Sequence, residues 1–220
     1  MALAAPVFFA SDELQRSVWV VVDPRDFVTG RRMTVPVQVL LKDVEAEPIP
    51  GLSGVYCFTD LKLPAGAHLA QVRPRVEDRG RYFDGETAFA LATVPVPGQP
   101  LQRNPVIVEL LPRPAYPFAG ATLARGRLVK ASDGSAVEAA RIFLIRGAVN
   151  LGRRGRTDER GEFVVFFPPV PPEDTTSAGL ADFTFRLRFE IDGEPPLLIN
   201  PEVVREGSTF SHQEITFPGI

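Results

Sequence analysis

Proline is the residue that most constrains how this chain can fold. It accounts for 22 of the 220 residues, about twice its average share in proteins. The prolines are spread along the whole sequence, and each one inside a helix would cost about 3 kcal/mol. Long helical bundles are therefore disfavoured. Glycine, with 18 residues, does not recur at every third position as collagen requires. The composition favours a fold of short elements separated by turns.

Short β-type runs cut by Gly, Pro and Asp dominate the sequence. One run, 183–191, alternates apolar and polar residues over nine positions, which indicates a half-buried strand. Pro36 has no N–H to donate, so the run that contains it should begin late or lie at a sheet edge. We predict an all-β fold with strands at 17–22, 34–41, 54–59, 68–73, 87–92, 105–111, 124–129, 140–145, 162–167, 183–191, 197–199 and 214–217.

The second half of the chain repeats the order of strands and turns of the first half. Gly54 corresponds to Gly161 at an offset of 107, and the same offset aligns the first strands, Val20–Val22 with Arg127–Val129. Three prolines within Pro112–Pro117 predict a short semi-rigid linker. We predict an N-terminal extended segment (1–16), a first β-sandwich (17–111), the linker (112–117) and a second β-sandwich (118–220).

The second half carries a motif pattern that is similar to a known domain family. The residues are GRLVKASDGSAVEAARIFL (126–144) followed by TDERGEF (157–163), with a more divergent counterpart, TDLKLPAGAHLAQV (59–72), in the first half. They resemble carboxypeptidase regulatory-like, or transthyretin-like, β-sandwich domains, although His68 stands where that family usually has an aromatic residue. The resemblance implies two tandem immunoglobulin-like sandwiches. It implies no activity, because function depends on sites carried by a fold.

Charge and cysteine content narrow the classes of function. The net charge is −3, and 24 basic and 27 acidic residues are balanced between the halves, which disfavours nucleic-acid binding and a membrane-surface role. Cys57 is the single cysteine, so an intramolecular disulfide cannot form and a reducing compartment is favoured. The apolar residues 1–10 lack the basic flank of a secretory signal. We therefore predict a cytoplasmic location.

Catalytic chemistry finds little support in the sequence. The two histidines, His68 and His212, lie in different halves, and no serine motif accompanies them as nucleophilic catalysis requires. Zinc binding would need more His or Cys ligands. Cys57 lies between Tyr56 and Phe58, and we interpret it as a core residue rather than a nucleophile. We predict no enzyme activity, no metal and no cofactor.

Two kinds of residue are candidates for contacting a partner. Arginine makes up 21 of the 24 basic residues, and it clusters in two stretches that we interpret as loops: Arg73, Arg75, Arg79 and Arg81, then Arg146, Arg153, Arg154, Arg156 and Arg160. These loops could bind an anionic partner or simply be solvated. The uncharged segment 2–10 could pack on its own domain or dock on a partner. The partner-binding candidates are Val7, Phe8, Phe9, Arg153, Arg154 and Arg156.

These observations favour a non-enzymatic structural or interaction protein. We expect it to be a subunit of a larger cytoplasmic assembly, with other protein subunits as partners and a homo-oligomer as a further option. Cytoplasmic proteins made mainly of such tandem domains resemble accessory components of phage-tail-like contractile injection systems, which would be such an assembly. The alternative is a β-sandwich module that binds a small ligand or carbohydrate and accompanies an enzyme or surface system.

Overall fold

The computed structural model describes residues 18–42, 44–59, 61, 66–91, 105–168, 182–212 and 214–219. This part of the chain is almost entirely β-structure, with one 3₁₀ turn at Val76–Asp78 and no α-helix, and the all-β prediction is confirmed. The strands are β1 (Val18–Asp26), β2 (Val37–Leu41), β3 (Ile49–Pro50), β4 (Tyr56–Thr59), β5 (Gly66–Pro74), β6 (Gly85–Leu91), β7 (Val106–Leu110), β8 (Leu123–Lys130), β9 (Arg141–Arg146), β10 (Val149–Arg156), β11 (Glu162–Phe166), β12 (Asp182–Glu190), β13 (Leu197–Leu198), β14 (Glu202–Arg205), β15 (Thr209–Ser211) and β16 (Ile215–Phe217).

The first half forms a sandwich of two sheets, which we call the first β unit. One sheet has the order β3-β4-β1-β7 and the other has the order β2-β5-β6. Alternate residues of each strand face a shared core, as a pleated strand requires. That core contains Val22 of β1, Val39 of β2, Phe58 of β4 and Val72 of β5, and each of them is at most 1% exposed.

The second half forms another sandwich with its own core, which we call the second β unit. Strands β11, β8 and β15 make one sheet, and β16 also pairs with β8. The other sheet has the order β10-β9-β12-β13, with β14 on β12. Aromatic rings fill the space between the sheets: Phe163 and Phe189 meet edge to face at 5.3 Å, and Phe167 and Phe185 at 4.8 Å. Such pairs add about 0.5–1.5 kcal/mol beyond their burial.

The two units share the pairing of their first strands, whereas they differ in that β3 pairs with β4 and β10 pairs with β9. In each, the first strand pairs antiparallel with a later strand (β1 with β4, β8 with β11) and parallel with a strand near the end (β1 with β7, β8 with β15 and β16). The alignment of the first strands was wrong. Tyr56 pairs with Val22, whereas Phe163, at the offset of 107, pairs with Gly126, three residues before a uniform offset would place it.

Several of the predicted strands and loops differ from those in the structure. The stretch around Arg153, Arg154 and Arg156 is strand β10, not a loop, and it pairs with β9 through two register shifts. Its Asn, Gly and Arg residues lack the apolar alternation of a typical strand. Strand β1 continues through Pro24 to Asp26. Strand β2 begins at Val37, so the late start predicted from Pro36 is confirmed. The short strands β3, β14 and β15 were also missed.

Cys57 is half-buried, so its prediction as a core residue was wrong. Successive side chains of a strand point to opposite faces. Phe58, the next residue of β4, is fully buried in the first core, and Cys57 therefore lies on the other face. Its two neighbours in sequence are aromatic, but this does not decide which side of the sheet it occupies.

Candidate functional site: the junction between the two β units

The predicted linker Pro112–Pro117 is attached to the first β unit. Pro112 forms a β-bridge with Tyr82, and the backbone N–H of Arg113 donates to the carbonyl of Arg81 at 2.8 Å. The backbone N–H of Tyr116 donates to the carbonyl of Arg113 at 2.9 Å, which closes a turn. These contacts fix the start and the middle of the segment, whereas a free tether would have none.

Asp26 is the centre of the polar contacts at this junction. It is 8% exposed and lies at the end of β1. One carboxylate oxygen accepts the hydroxyls of Tyr82 at 2.9 Å and Tyr116 at 2.7 Å. The other accepts the backbone N–H groups of Val28 at 2.7 Å and Thr29 at 3.1 Å. Four donors thus offset the cost of burying this side chain.

The two tyrosine hydroxyls are held in the protonated form. Burial, then the hydrogen bond to Asp26, raises the pKa of Tyr116 to about 12. Burial and the same carboxylate raise the pKa of Tyr82 further. The rings meet edge to face with centroids 5.4 Å apart. Because a phenolate beside the carboxylate would add a second negative charge, the arrangement serves binding between segments rather than proton transfer at neutral pH.

Tyr116 also connects the junction to the second β unit. Its ring lies 4.7 Å from that of Phe118, and the guanidinium of Arg125, on β8, lies 5.4 Å from the Phe118 ring. Arg125 also donates a hydrogen bond from Nη1 to the carbonyl of Pro114 at 3.2 Å. A continuous series of contacts therefore runs from β1 of the first unit to β8 of the second.

The arginines of β10 form a second set of contacts across the junction. The guanidinium of Arg154 lies 5.1 Å from the ring centroid of Phe27, and that of Arg156 lies 5.6 Å from the ring of Phe83. Both rings belong to the first unit, and a cation over an aromatic face is worth about 0.5–1 kcal/mol at an exposed site. Burial lowers the pKa of Arg154, and Glu109 of the first unit opposes that shift.

Arg113 completes the set from the linker itself. Its guanidinium lies 4.9 Å from the ring of Phe83, on which Arg156 also packs, and it forms an ion pair with Glu159 of the second unit. Sequence reasoning did not single out Arg113, Phe83 or Asp26. No sequence pattern marks these residues, because residues from β1, the linker and the second unit come together only in the folded chain.

Two clefts open beside these contacts. One, of about 400 Å³, is lined by Phe27, Glu86, Ile107 and Glu109 of the first unit together with Arg153, which is exposed. The other, of about 320 Å³, is lined by four arginines and four acidic residues, together with Tyr82, Phe83 and Thr157: Arg73, Arg79, Arg113, Arg156, Asp84, Glu138, Asp158 and Glu159. Equal numbers of basic and acidic side chains suit contacts between protein surfaces more than binding of a single charged ligand.

The TDERG motif behind the family resemblance has a structural role. One carboxylate oxygen of Asp158 accepts the backbone N–H groups of Arg160 and Glu162, both at 2.9 Å. Gly161 has a φ of 73°, and a Cβ there would lie 2.4 Å from the carbonyl oxygen of Leu128. Only glycine fits both demands. The motif therefore builds the turn before β11.

The remaining site predictions have different outcomes. Arg154 and Arg156 already contact the first unit, Arg153 remains accessible, and a partner role for all three stays a prediction. Val7, Phe8 and Phe9 lie outside the described residues. Within the part of the chain that the structure describes, no cluster of three or more His, Cys, Asp and Glu residues could hold a metal ion. The same residues contain no helix with the length and apolar character needed to cross a bilayer.

The chain is similar to several solved structures at low sequence identity. No protein-family model matches the chain, and no curated protein does. Among solved structures it is similar to the Bacillus anthracis TIE protein, with 13% identity over 91% of this chain and 34% of that one and a TM-score of 0.30. It is also similar to GBS52, the minor pilin of Streptococcus agalactiae, with 11% identity over 93% of this chain and 97% of that one and a TM-score of 0.24.

A third similar structure is BcpA, the major pilin subunit of Bacillus cereus, with 12% identity over 72% of this chain and 42% of that one and a TM-score of 0.22. The chain thus spans about a third of the TIE protein and less than half of the BcpA chain. These TM-scores are low, so no residue role or partner is transferred from these proteins. The resemblance to carboxypeptidase regulatory-like domains also stays a prediction.

Proposed function

We propose that this protein is a non-enzymatic structural or interaction protein, one subunit of a larger protein assembly. Its two β units would act as a single stiff body that holds partner-binding surfaces at a fixed spacing. The observation that carries the proposal is the junction, where Asp26 accepts hydroxyls from both Tyr82 and Tyr116. A chain whose units needed only to be tethered would not require such a buried polar contact.

The kind of contacts made at the junction supports a rigid connection between the two β units. Buried polar networks with every member satisfied rigidify their surroundings, and Asp26 has four donors. The packing of Arg154 on Phe27 and of Arg156 on Phe83 adds contacts at separate points of the same boundary. Contacts at several separate points of one boundary resist bending more than a single contact does.

A narrower proposal concerns the kind of assembly. A cytoplasmic phage-tail-like contractile injection system fits the balanced charge, the single cysteine and the repeated β units. Other protein subunits would be the partners, and copies of this chain could associate with one another. The proposal rests on the similarity of such tandem-domain proteins to accessory components of these systems, and a cytoplasmic location remains part of it.

The test is to measure the size of native complexes in the source cells. The tagged full-length chain is purified without denaturant, and its complexes are compared by size with those of the Tyr116→Phe and Tyr56→Phe variants. We expect wild type and Tyr56→Phe to enter the same large complex, since the Tyr56 hydroxyl makes only a 3.4 Å contact with the Val37 carbonyl. Tyr116→Phe should enter it less. A monomeric wild type in all fractions would contradict the proposal.

A ligand-binding module is the second candidate, and a specific cavity favours it. A cleft of about 970 Å³ lies beside β2 and is lined by Val37, Val39, Tyr56 and Arg75, among others. Ligand sites commonly have volumes of about 300–1,000 Å³. Binding of soluble oligosaccharides, followed by the chemical shifts of the β2 amides, would distinguish this function from the structural one. Shifts confined to this cleft would favour the module.

A further inference from the structure

The same cleft beside β2 has the features of an unfilled position in a β-sheet. Strand β2 pairs with β5 on one side only. Two hydrogen bonds flank that ladder, from Lys42 N–H to the Leu69 carbonyl and from Arg75 N–H to the Pro36 carbonyl. In an antiparallel pair, hydrogen-bonded residues alternate with residues that are not hydrogen-bonded to the partner strand. The even-numbered residues of β2 therefore direct their backbone N–H and C=O groups toward β5. The odd-numbered residues Val37, Val39 and Leu41 direct their backbone N–H and C=O groups away from β5, and Val37 and Val39 line the cleft.

Some of these backbone groups have partners from within the first unit. The Val37 carbonyl accepts the Tyr56 hydroxyl at 3.4 Å, and the Leu41 carbonyl accepts the backbone N–H of Val44 at 3.3 Å. Val39 lies between them, and in the described part of the chain its N–H and carbonyl have no hydrogen-bond partner. An unpaired edge of this kind is a template for a further strand.

The walls of the cleft favour an occupant without charge. The apolar side chains that it leaves partly or fully exposed are Leu40, Ala46, Pro48 and Val76. Its charged residues are two acids and two arginines, Glu47, Glu77, Arg75 and Arg79, so the site has no net charge for a charged ligand to neutralise. An extended apolar segment could bury its side chains here and keep its backbone paired.

We propose that the segment Ala2–Ala10 of the same chain occupies this cleft as an added strand on β2. The segment contains no charged residue and includes Val7, Phe8 and Phe9. Burying one such phenylalanine is worth about 1.5–3 kcal/mol. Pro6 disfavours helical geometry at Ala5, which suits a strand. This inference goes beyond the proposed function and does not depend on it.

The length of the chain between the segment and β1 is sufficient. Residues 11–17 separate Ala10 from Val18, where β1 begins, and seven residues can span about 25 Å. Strand β2 returns in the opposite direction to β1, so its end at Leu41 lies at the same end of the sandwich as Val18. Packed sheets are about 10 Å apart, and the segment can therefore run parallel to β2. Attachment to the same chain also gives it a high effective concentration.

Amide hydrogen exchange of the full-length protein tests this inference. We expect the Val39 amide to be protected in the wild type, and to exchange at least about tenfold faster when Val7, Phe8 and Phe9 are all replaced by Asp. Ala46→Lys, which adds a charge to the cleft, should have the same effect. Thr34→Lys, an exposed position that does not line the cleft, should not. Unchanged protection of the Val22 and Val72 amides, in the core of the first unit, verifies that this unit is folded in each variant.

Three outcomes would overturn the inference. The Val39 amide could exchange freely in the wild type, or the triple variant could leave its protection unchanged. Protection that increases with protein concentration would instead assign the occupant to a second copy. The size of native complexes is measured separately, so a failure here leaves the proposed assembly role intact, and the reverse also holds.

Discussion

Replacing Tyr116 by Phe removes one oxygen atom from the junction. The lost contact is the 2.7 Å hydrogen bond from the hydroxyl to Asp26. Hydrogen bonds to charged groups contribute about 1.5–3 kcal/mol. Asp26 keeps three donors, from Tyr82, Val28 and Thr29, so we expect the lower end of that range. The free energy of unfolding of the first unit should fall by about 1.5 kcal/mol, which is about tenfold in the equilibrium constant.

The chain contains one tryptophan, Trp19, in β1, so its fluorescence follows the first unit during urea unfolding. Far-ultraviolet circular dichroism follows both units together. The Tyr116→Phe variant should show an earlier fluorescence transition, with the slope on denaturant unchanged. The fluorescence and circular dichroism transitions should also occur at different urea concentrations in this variant, because the contact from β1 to the linker is weakened.

Tyr56→Phe is the matched control for this experiment, since it removes the same atom from a tyrosine of β4, away from the junction. Its hydroxyl makes a weaker contact at 3.4 Å, so a change below about 0.5 kcal/mol is expected. Tyr82→Phe removes the other hydroxyl on Asp26 and should cost about as much as Tyr116→Phe. If Tyr116→Phe were as stable as Tyr56→Phe, the junction would not be a stabilising contact and the argument for a stiff body would be refuted.

Four further predictions follow from individual environments. The pKa of Tyr116 is raised from its ordinary value of 10 to about 12. The contribution of its hydroxyl to the stability of the first unit should therefore be fully present below about pH 10 and lost as pH rises through 12, measured by urea unfolding alongside phenolate absorbance. Gly155→Ala places a Cβ 2.7 Å from the Val164 carbonyl oxygen and should lower the free energy of unfolding by about 1–3 kcal/mol, measured by thermal unfolding. Gly80→Ala is the control, since its Cβ would meet no atom within 4 Å. Phe189 is fully buried, so Phe189→Ala should lower the free energy of unfolding by about 3–5 kcal/mol, measured by denaturant titration. Burial lowers the pKa of His212, so the second unit should lose stability as pH falls below about 6.5, and His212→Leu should remove that dependence; an unchanged pH profile in this variant would contradict it.

The sequence predicted the elements whose side chains follow the geometry of a buried strand. The alternation in 183–191 matches β12, where Phe185, Leu187 and Phe189 face the core. The turn before β11 was predictable because Gly161 must adopt a positive φ. Strand β10 was missed since its contacts use arginine stems and guanidinium faces, and these residues also occur in solvated loops.

The junction could not be predicted, because its residues are distant in sequence. Asp26 and Tyr116 are 90 positions apart, and a Pro-rich stretch such as Pro112–Pro117 indicates a linker whether or not it is attached to a domain. The placement of Cys57 was within reach. Phe58 is the larger apolar residue, and two adjacent strand residues cannot face the same core. The boundaries predicted for the two domains stay predictions.

The central claim is that the two β units move as one body, and ¹⁵N NMR relaxation tests it most directly. The ratio of transverse to longitudinal rates gives a rotational correlation time for each unit separately. We expect one common value for both units in the wild type, equal to that of a rigid 220-residue particle, and shorter, differing values when Asp26→Ala removes the junction carboxylate. Two independent, shorter correlation times in the wild type would contradict the account.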